Sequence, residues 1–260
     1  MTLEVLQPTS PGEAAAAFGD GSGVTVVGGG TIVIPDLTHG RLRPDRVLLL
    51  GAAGLDGIDR SGGSVTIGAA CPVAALEGGD EPLATAAAHL GDLEIRGQAT
   101  VGGNLCAGPG GEASRGDLQA PLLALDARVR STGPGGERSE PLAGFLADAT
   151  GRLVLDVSYD DVARSTGYAA AWRPHAHHYT ILAACAVKDA AGTRVAVTGG
   201  RPTGVRCPAV EAALAGGAAA SEAAARVLDD VDPADDALAS AWYRRRTLPT
   251  LVERVLASLA

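Results

Sequence analysis

Residues 95–104 read Ile95-Arg96-Gly97-Gln98-Ala99-Thr100-Val101-Gly102-Gly103-Asn104. A Gly-Gly pair between a threonine and an asparagine gives bare backbone flanked by two side chains able to hydrogen-bond. Roughly seventy residues upstream, Gly28-Gly29-Gly30-Thr31 directly follows the apolar run Val24 to Val27. Glycines after a strand can expose successive N–H groups, which form an anion-binding nest. Thr31 adds a hydroxyl. This is not the GxGxxG of a Rossmann site, and read alone it is equally a strand-ending turn. Read together, the two loops could clamp one diphosphate between them. Asp117 follows at a distance where its carboxylate could accept from a ribityl or ribose hydroxyl. It is also placed to cap a helix over Leu118 to Leu125, and one residue could do both.

Composition narrows the alternatives. The chain has 260 residues, room for roughly two domains. Aromatics are only 3% of it, so the core must be Val, Leu, Ile and Ala, and stacking is not expected to be the main means of holding a ligand. Glycine (36 residues) is about twice its usual share. An Ala/Gly-rich genome that favours Arg over Lys explains part of this, since Lys188 is the only lysine. Glycines that let backbone approach a phosphate would explain particular positions. The net charge of −9 opposes a general nucleic-acid role. The short basic run Arg244-Arg245-Arg246 reads as a helix surface or a partner contact. Cys71, Cys106, Cys185 and Cys207 form no CxxC unit, which argues against a cluster or structural zinc held by this chain alone. Scattered cysteines suit a reducing, cytoplasmic setting. Neither a signal peptide nor a membrane span is expected.

Along the chain, Leu3 to Leu6 predicts a strand. Ser10-Pro11-Gly12-Glu13 predicts a capped helix start continuing through Phe18. Val24 to Val27, Arg46 to Leu50 and Ser64 to Ile67 predict strands. Val73 to Glu77, Pro82 to Leu90 and Leu118 to Leu125 look helical, and Val129, Leu142 and Leu153 to Val157 mark further strand candidates. Beyond Asp160 the pattern changes. Gly167 to Trp172, Thr180 to Lys188 and Arg194 to Thr198 read as three strands, the last two joined as a hairpin by Asp189-Ala190-Ala191-Gly192. Helices then begin at Val210 and Ser221. A long final helix is expected over Ala234 to Leu259, interrupted by Pro249.

These motifs resemble the FAD-binding (medium) subunit of the xanthine dehydrogenase and carbon monoxide dehydrogenase family, the molybdenum hydroxylases. The family's first loop is roughly AGGT, here Gly28-Gly29-Gly30-Thr31-Ile32-Val33-Ile34-Pro35. Its second is roughly IRNxATIGGN, here residues 95–104. Val65-Thr66-Ile67-Gly68-Ala69-Ala70 is similar to its IGA segment, and Asp117-Leu118 to the Asp that follows the second motif. Val205-Arg206 to Leu214 and Asp235 to Arg244 resemble its C-terminal segments, so the likeness spans nearly the whole chain.

The resemblance implies an α+β fold. A two-subdomain FAD-binding domain of the vanillyl-alcohol-oxidase (PCMH) type would occupy residues 1–160, with subdomains of about 1–54 and 55–160. A small C-terminal CO-dehydrogenase-flavoprotein-like α+β domain with a three-stranded sheet would follow over 161–260. FAD would lie between them. Its contacts would be Val26, Val27, Gly28, Gly29, Gly30, Thr31, Ile32, Val33, Thr100, Val101, Gly102, Gly103, Asn104 and Asp117, with Leu90 a weaker match near the flavin. The resemblance further implies an oxidoreductase subunit that receives electrons from an iron–sulfur small subunit, itself fed by a molybdopterin large subunit. It would deliver them to NAD, oxygen or a quinone. The alternative is a standalone FAD-dependent oxidoreductase acting directly on a small molecule in specialised metabolism.

Three stretches depart from the pattern: Gly97 stands for the usual Asn, Cys106 to Gly116 is longer and richer in glycine, and Arg173-Pro174-His175-Ala176-His177-His178 is unusual. The three histidines lack an acidic neighbour at a standard ligand spacing, so a loop is expected there and no metal. Nothing reads as a serine or cysteine nucleophile with its base. Asp160-Asp161 and Asp229-Asp230 read as solvated turns.

Overall fold

The computed structural model describes residues 3–108, 116–172 and 180–259. In chain order the elements are β1 (Glu4–Leu6), α1 (Pro11–Phe18), β2 (Val24–Val27), α2 (Val33–Thr38), β3 (Arg46–Leu49), β4 (Ile58–Ser61), β5 (Ser64–Gly68), α3 (Leu83–Ala88), α4 (Leu93–Gln98) and α5 (Val101–Leu105). They continue with α6 (Gln119–Ala124), β6 (Arg128–Thr132), β7 (Arg138–Pro141), α7 (Leu142–Ala147), β8 (Leu153–Asp160), β9 (Ser165–Trp172), β10 (Thr180–Asp189), β11 (Gly192–Thr198) and β12 (Val205–Arg206). The last four are α8 (Pro208–Ala215), α9 (Ala220–Ala225), α10 (Val227–Asp230) and α11 (Ala241–Ala257). The chain forms two compact units. One comprises Met1–Ala75, Leu93–Cys106 and Arg128–Asp161, and the other Leu76–Asp92, Ala107–Ala127 and Val162–Ala260.

The first unit carries a parallel three-stranded sheet in the order β1-β3-β2, with Val5 opposite Val47 and Val26 opposite Leu48. Helix α1 starts where its cap predicts: Ser10 Oγ accepts from the Glu13 N–H at 3.2 Å. Glu13 reaches one residue further back than a capping box, accepting from the Thr9 N–H (2.7 Å) and hydroxyl (2.8 Å). The helix buries Ala14 and Phe18 with Leu48, Leu50, Leu153 and Leu155. A second sheet, β4-β5-β8-β6-β7, is antiparallel throughout. Strand β5 alternates, burying Val65 and Ile67. Arg152 ties down the β6–β7 turn, donating to the carbonyls of Ser131 (2.8 Å), Pro134 (2.9 Å) and Gly136 (3.0 Å). Leu142, a strand candidate by sequence, instead opens α7, with Leu142 and Phe145 buried.

The second unit is built on an antiparallel sheet in the order β12-β11-β10-β9. It contains the three expected strands and a two-residue fourth, β12. Central β10 is buried from Thr180 to Val187 because both of its faces are covered. Leu182, Ala184 and Ala186 join Val195 and Val197 in a core with Val210, Leu248, Val252 and Val255 from the helices. Helix α6, buried at every position, packs on β10 and β11. Helix α11 begins seven residues later than sequence suggests, with Ser240 as its cap, and it runs through Pro249 unbroken.

Arg244 is not the surface residue that its charge suggests. It is 2% exposed. Its Nη1 donates to the carbonyls of Ile181 (2.9 Å) and Gly199 (2.8 Å), and its Nη2 to Asp236 (2.7 Å). One guanidinium therefore joins α11 to the start of β10 and the end of β11. Replacing Arg244 with Ala should cost about 3 kcal/mol in denaturant unfolding, because buried carbonyls lose their donor. Arg244→Lys should recover only part of this, since a single ammonium nitrogen cannot take the places of both Nη1 and Nη2 in the planar fork. A loss within about 0.5 kcal/mol for the alanine variant would refute that role.

Asp189, in the β10–β11 hairpin, accepts from the Arg194 guanidinium and from the Ala191 N–H at 2.8 Å. The Arg194 hydrogen bond first, then the backbone N–H, holds its carboxyl below the usual aspartate range against the opposing effect of burial. The folded-state value is depressed, so its stabilisation is fully present above about pH 4, the unfolded value, and is lost as pH falls through the folded value. Acid titration of thermal stability should show Asp189→Asn with a shallower loss below that pH than the parent chain.

Candidate functional site

The first glycine loop leaves β2 at Val27, whose carbonyl accepts from the Leu50 N–H at 3.0 Å. Gly30 has φ of +76°, a conformation open to glycine and strained for other residues. None of the N–H groups from Gly28 to Val33 is hydrogen-bonded within the described residues; the next to find an acceptor is Ile34, which donates to the Gly30 carbonyl at 2.9 Å. Gly28, Gly29, Gly30, Thr31 and Val33 are half-buried, and Ile32 is exposed. Six successive N–H groups with no acceptor among the described residues call for water or a ligand, and together they present partial positive charge.

The second motif behaves differently. It is not a loop but the short helix α5, capped by Thr100, whose hydroxyl accepts from the Gly103 N–H at 3.2 Å. The Val101 N–H donates to the Cys71 carbonyl (2.9 Å), Gly102 to Ala69 (2.8 Å) and Asn104 to Thr100 (2.8 Å). The expectation that both motifs offer bare amides is therefore met only by the first. The reason lies in the neighbouring segment Ala69-Ala70-Cys71, whose Ala69 and Cys71 carbonyls take the first two, and in the helix itself, which takes the third. A Cβ on Gly102 would lie 2.8 Å from the Ala69 methyl, so the glycine is what lets the two segments touch.

The two motifs nevertheless meet. A Cβ on Gly29 would lie 1.6 Å from the Gln98 carbonyl oxygen, and one on Gly28 would lie 2.4 Å from Thr100 Oγ1. Both belong to the first unit, so the geometry of this pair is internal to it. The second motif presses against the first and holds it, and the first keeps its amides for something else. Thr100 and Asn104 are buried, and Gly103 is exposed.

Leu90 and Asp117 belong to the second unit, 7% and 9% exposed. The N-cap position of α6 is Leu118 and not Asp117, and Leu118 makes no side-chain capping bond. Sequence reasoning missed Gln119. It is 1% exposed, accepts from the Gly204 N–H at 2.6 Å and donates to the Ala107 carbonyl at 3.4 Å. A Cβ on Gly116 or Gly204 would lie 2.1 or 2.7 Å from its side chain, so two distant glycines make room for one glutamine. A polar residue inside an otherwise apolar helix, three positions after a glycine, was the available signal. His175, His177 and His178 lie outside the described residues.

The buried thiols support no nucleophile. Burial pushes Cys185 and Cys207 up, and burial followed by the Asp56 charge pushes Cys71 up, which disfavours the thiolate in each case. Asp230 caps α8, accepting from the Ala209 N–H at 3.1 Å, so it is structural and not a solvated turn. Among the described residues no helix is long and apolar enough to cross a membrane.

The tight meeting of the motifs predicts a sharp steric limit. Gly29→Ala must push its loop off Gln98 and should destabilise the flavin-free protein by about 2–4 kcal/mol in thermal or denaturant unfolding. Gly97→Ala, where a Cβ meets nothing within 4 Å, is the control and should be near neutral. Equal effects at both positions would show that the loops are not held as described.

Comparison with known proteins gives a consistent result. A model of the FAD binding domain in molybdopterin dehydrogenase matches residues 1–158, and one of the CO dehydrogenase flavoprotein C-terminal domain matches residues 167–259. The chain is 29% identical to the 6-hydroxypseudooxynicotine dehydrogenase complex subunit alpha of Paenarthrobacter nicotinovorans, over 91% of this chain and 87% of that one. It is 26% identical to the carbon monoxide dehydrogenase medium chain of Hydrogenophaga pseudoflava, over 98% and 96%. Among solved structures, carbon monoxide dehydrogenase from Hydrogenophaga pseudoflava, in a form lacking the Mo-pyranopterin moiety, superposes with a TM-score of 0.86 at 26% identity, covering 100% of this chain and 97% of that one. Quinoline 2-oxidoreductase from Pseudomonas putida 86 shares the fold, with a TM-score of 0.83 at 19% identity over 100% and 97%.

Proposed function

The chain belongs to the family of FAD-binding subunits of molybdopterin dehydrogenases, oxidoreductases whose cofactor in this subunit is FAD, and on that premise we propose that it relays electrons within a molybdenum hydroxylase complex. Electrons would come from the iron–sulfur clusters of a small subunit, after substrate oxidation on a molybdopterin large subunit. They would leave to an external acceptor such as NAD, oxygen or a quinone. Relatives named as a complex subunit and as a medium chain support this assembly. In this reading residues 1–160 form the FAD-binding domain, with subdomains of about 1–54 and 55–160, and residues 161–260 the C-terminal domain. Four cysteines without disulfides fit the proposed cytoplasmic location.

The single observation that carries the site is the run of unbonded amides from Gly28 to Val33. A diphosphate needs several donors and no nearby competitor, and backbone N–H groups supply these without a basic side chain. The residues present therefore fit the cofactor. Gly28, Gly29, Gly30, Thr31, Ile32 and Val33 would hold the diphosphate, and Val26 and Val27 fix the strand from which the loop leaves. Thr100, Val101, Gly102, Gly103 and Asn104 would brace that loop and line its side. Asp117 and Leu90 would serve the ribityl chain and the ring. FAD, when bound, supplies the redox chemistry; the protein's part is to bind it, orient it and limit water around it.

Purification from the native host, with cofactor analysis and identification of co-purifying chains, tests this directly. The expected result is a stoichiometric flavin spectrum together with chains bearing iron–sulfur clusters and molybdopterin. A flavin-containing chain that purifies alone and turns over a small molecule by itself would favour the standalone oxidoreductase. Absence of flavin, with no FAD uptake on addition, would overturn the reading.

A further inference from the structure

Tyr168 lies on β9, and its hydroxyl oxygen is buried with no hydrogen-bond partner among the described residues. Such an orphan costs stability unless something outside the chain completes it. Burial, and secondarily the Asp117 carboxylate, push its pKa far above that of an ordinary phenol, so it stays a neutral donor. The His89 ring lies 5.8 Å from the Tyr168 ring, centroid to centroid, and 5.0 Å from that of Trp172, tilted by 41° and 48°. His89 Nδ1 is 2.7 Å from the Thr85 carbonyl oxygen. A carbonyl can only accept, so Nδ1 carries a proton and Nε2 is the atom left to meet a ligand. Trp172 is 41% exposed although large and apolar.

These rings belong to one compact unit, and the residues already assigned to FAD there border them. Leu90 follows His89 directly in the chain, and Asp117 is near enough to act on the Tyr168 hydroxyl. A neutral phenol among rings, with a carboxylate nearby, is poorly suited to a phosphate. It suits a neutral heteroatom at the rim of a flat ring. We propose that the Tyr168 hydroxyl donates a hydrogen bond to the isoalloxazine ring of FAD, with His89 and Trp172 framing that edge. This rests on the FAD reading of Asp117 and Leu90.

The test is Tyr168→Phe in the full chain, with three readouts. FAD affinity should weaken about three- to tenfold, the value of one such bond. The visible spectrum of bound FAD should shift. The flavin-free variant should melt higher by about 2–4 °C, because the orphan hydroxyl is gone. Opposite signs in the flavin-free and flavin-bound proteins are what a merely structural tyrosine would not produce. An unchanged affinity and spectrum would overturn the proposal, as would a flavin-free variant that melts lower, which would mean that water already satisfies the hydroxyl. Either result leaves FAD bound to the parent chain, so the proposed function survives. Failure of the parent chain itself to take up FAD removes both.

Discussion

Where Gly29 meets the Gln98 carbonyl there is no room for a β-carbon, and much of the first unit's candidate site follows from that contact. Two backbones approach as closely as chemistry permits, with a third, Ala69-Ala70-Cys71, behind them accepting from Val101 through Cys71 and from Gly102 through Ala69. Only short side chains, the Thr100 hydroxyl against Gly28 and the Ala69 methyl against Gly102, enter the stack of three segments, so its position is set by hydrogen bonds and hard contacts. Interiors packed this way resist deformation. That is useful for a site that must present amides at fixed positions, since a ligand then meets donors already oriented and little ordering remains to be done on binding.

The two motifs divide the labour unequally. Thr100 caps the helix that follows it, and the amides of Val101, Gly102 and Asn104 are consumed by carbonyls. This bonding makes the second motif rigid. The first motif, between Val27 and Ile34, stays unbonded over six residues because Gly30, at positive φ, turns the chain out of the strand before a helix can form. Unmet donors are tolerated at a half-exposed turn, where water can reach them in the absence of a ligand. The same donors beneath the buried face of α6 would be far more costly.

Much of this was legible in the sequence, for identifiable reasons. The parallel strands β1, β2 and β3, the Ser10 cap and the β10–β11 hairpin follow local rules that tertiary context did not override. Both glycine motifs stood out because glycine next to glycine is a backbone signal. What was illegible depends on long-range partners. That Gly102 donates to Ala69 cannot be read without knowing which segments meet. Leu142 looked strand-like by its apolar side chain but starts a helix after Pro141. Arg244 looked exposed because charge usually is; its burial depends on carbonyls of Ile181 and Gly199, some fifty residues away. Gln119 was invisible because its partners, Ala107 and Gly204, flank it at a distance.

The scarcity of aromatics sharpens the meaning of those present. The chain has two tryptophans and four tyrosines. One of each, Trp172 and Tyr168, lies against His89, in a unit whose core is otherwise aliphatic. Packing does not require them there. Aliphatic side chains fill the rest of the sheet, and an unpaired phenol is a poorer filler than phenylalanine. A sequence so sparing of rings, holding three together around an unsatisfied hydroxyl, accepts a stability cost at that point. Such costs persist in folded proteins mainly where a ligand recovers them. The same reasoning applies to the Gly28–Val33 amides, so each unit carries donors that find no acceptor among the described residues.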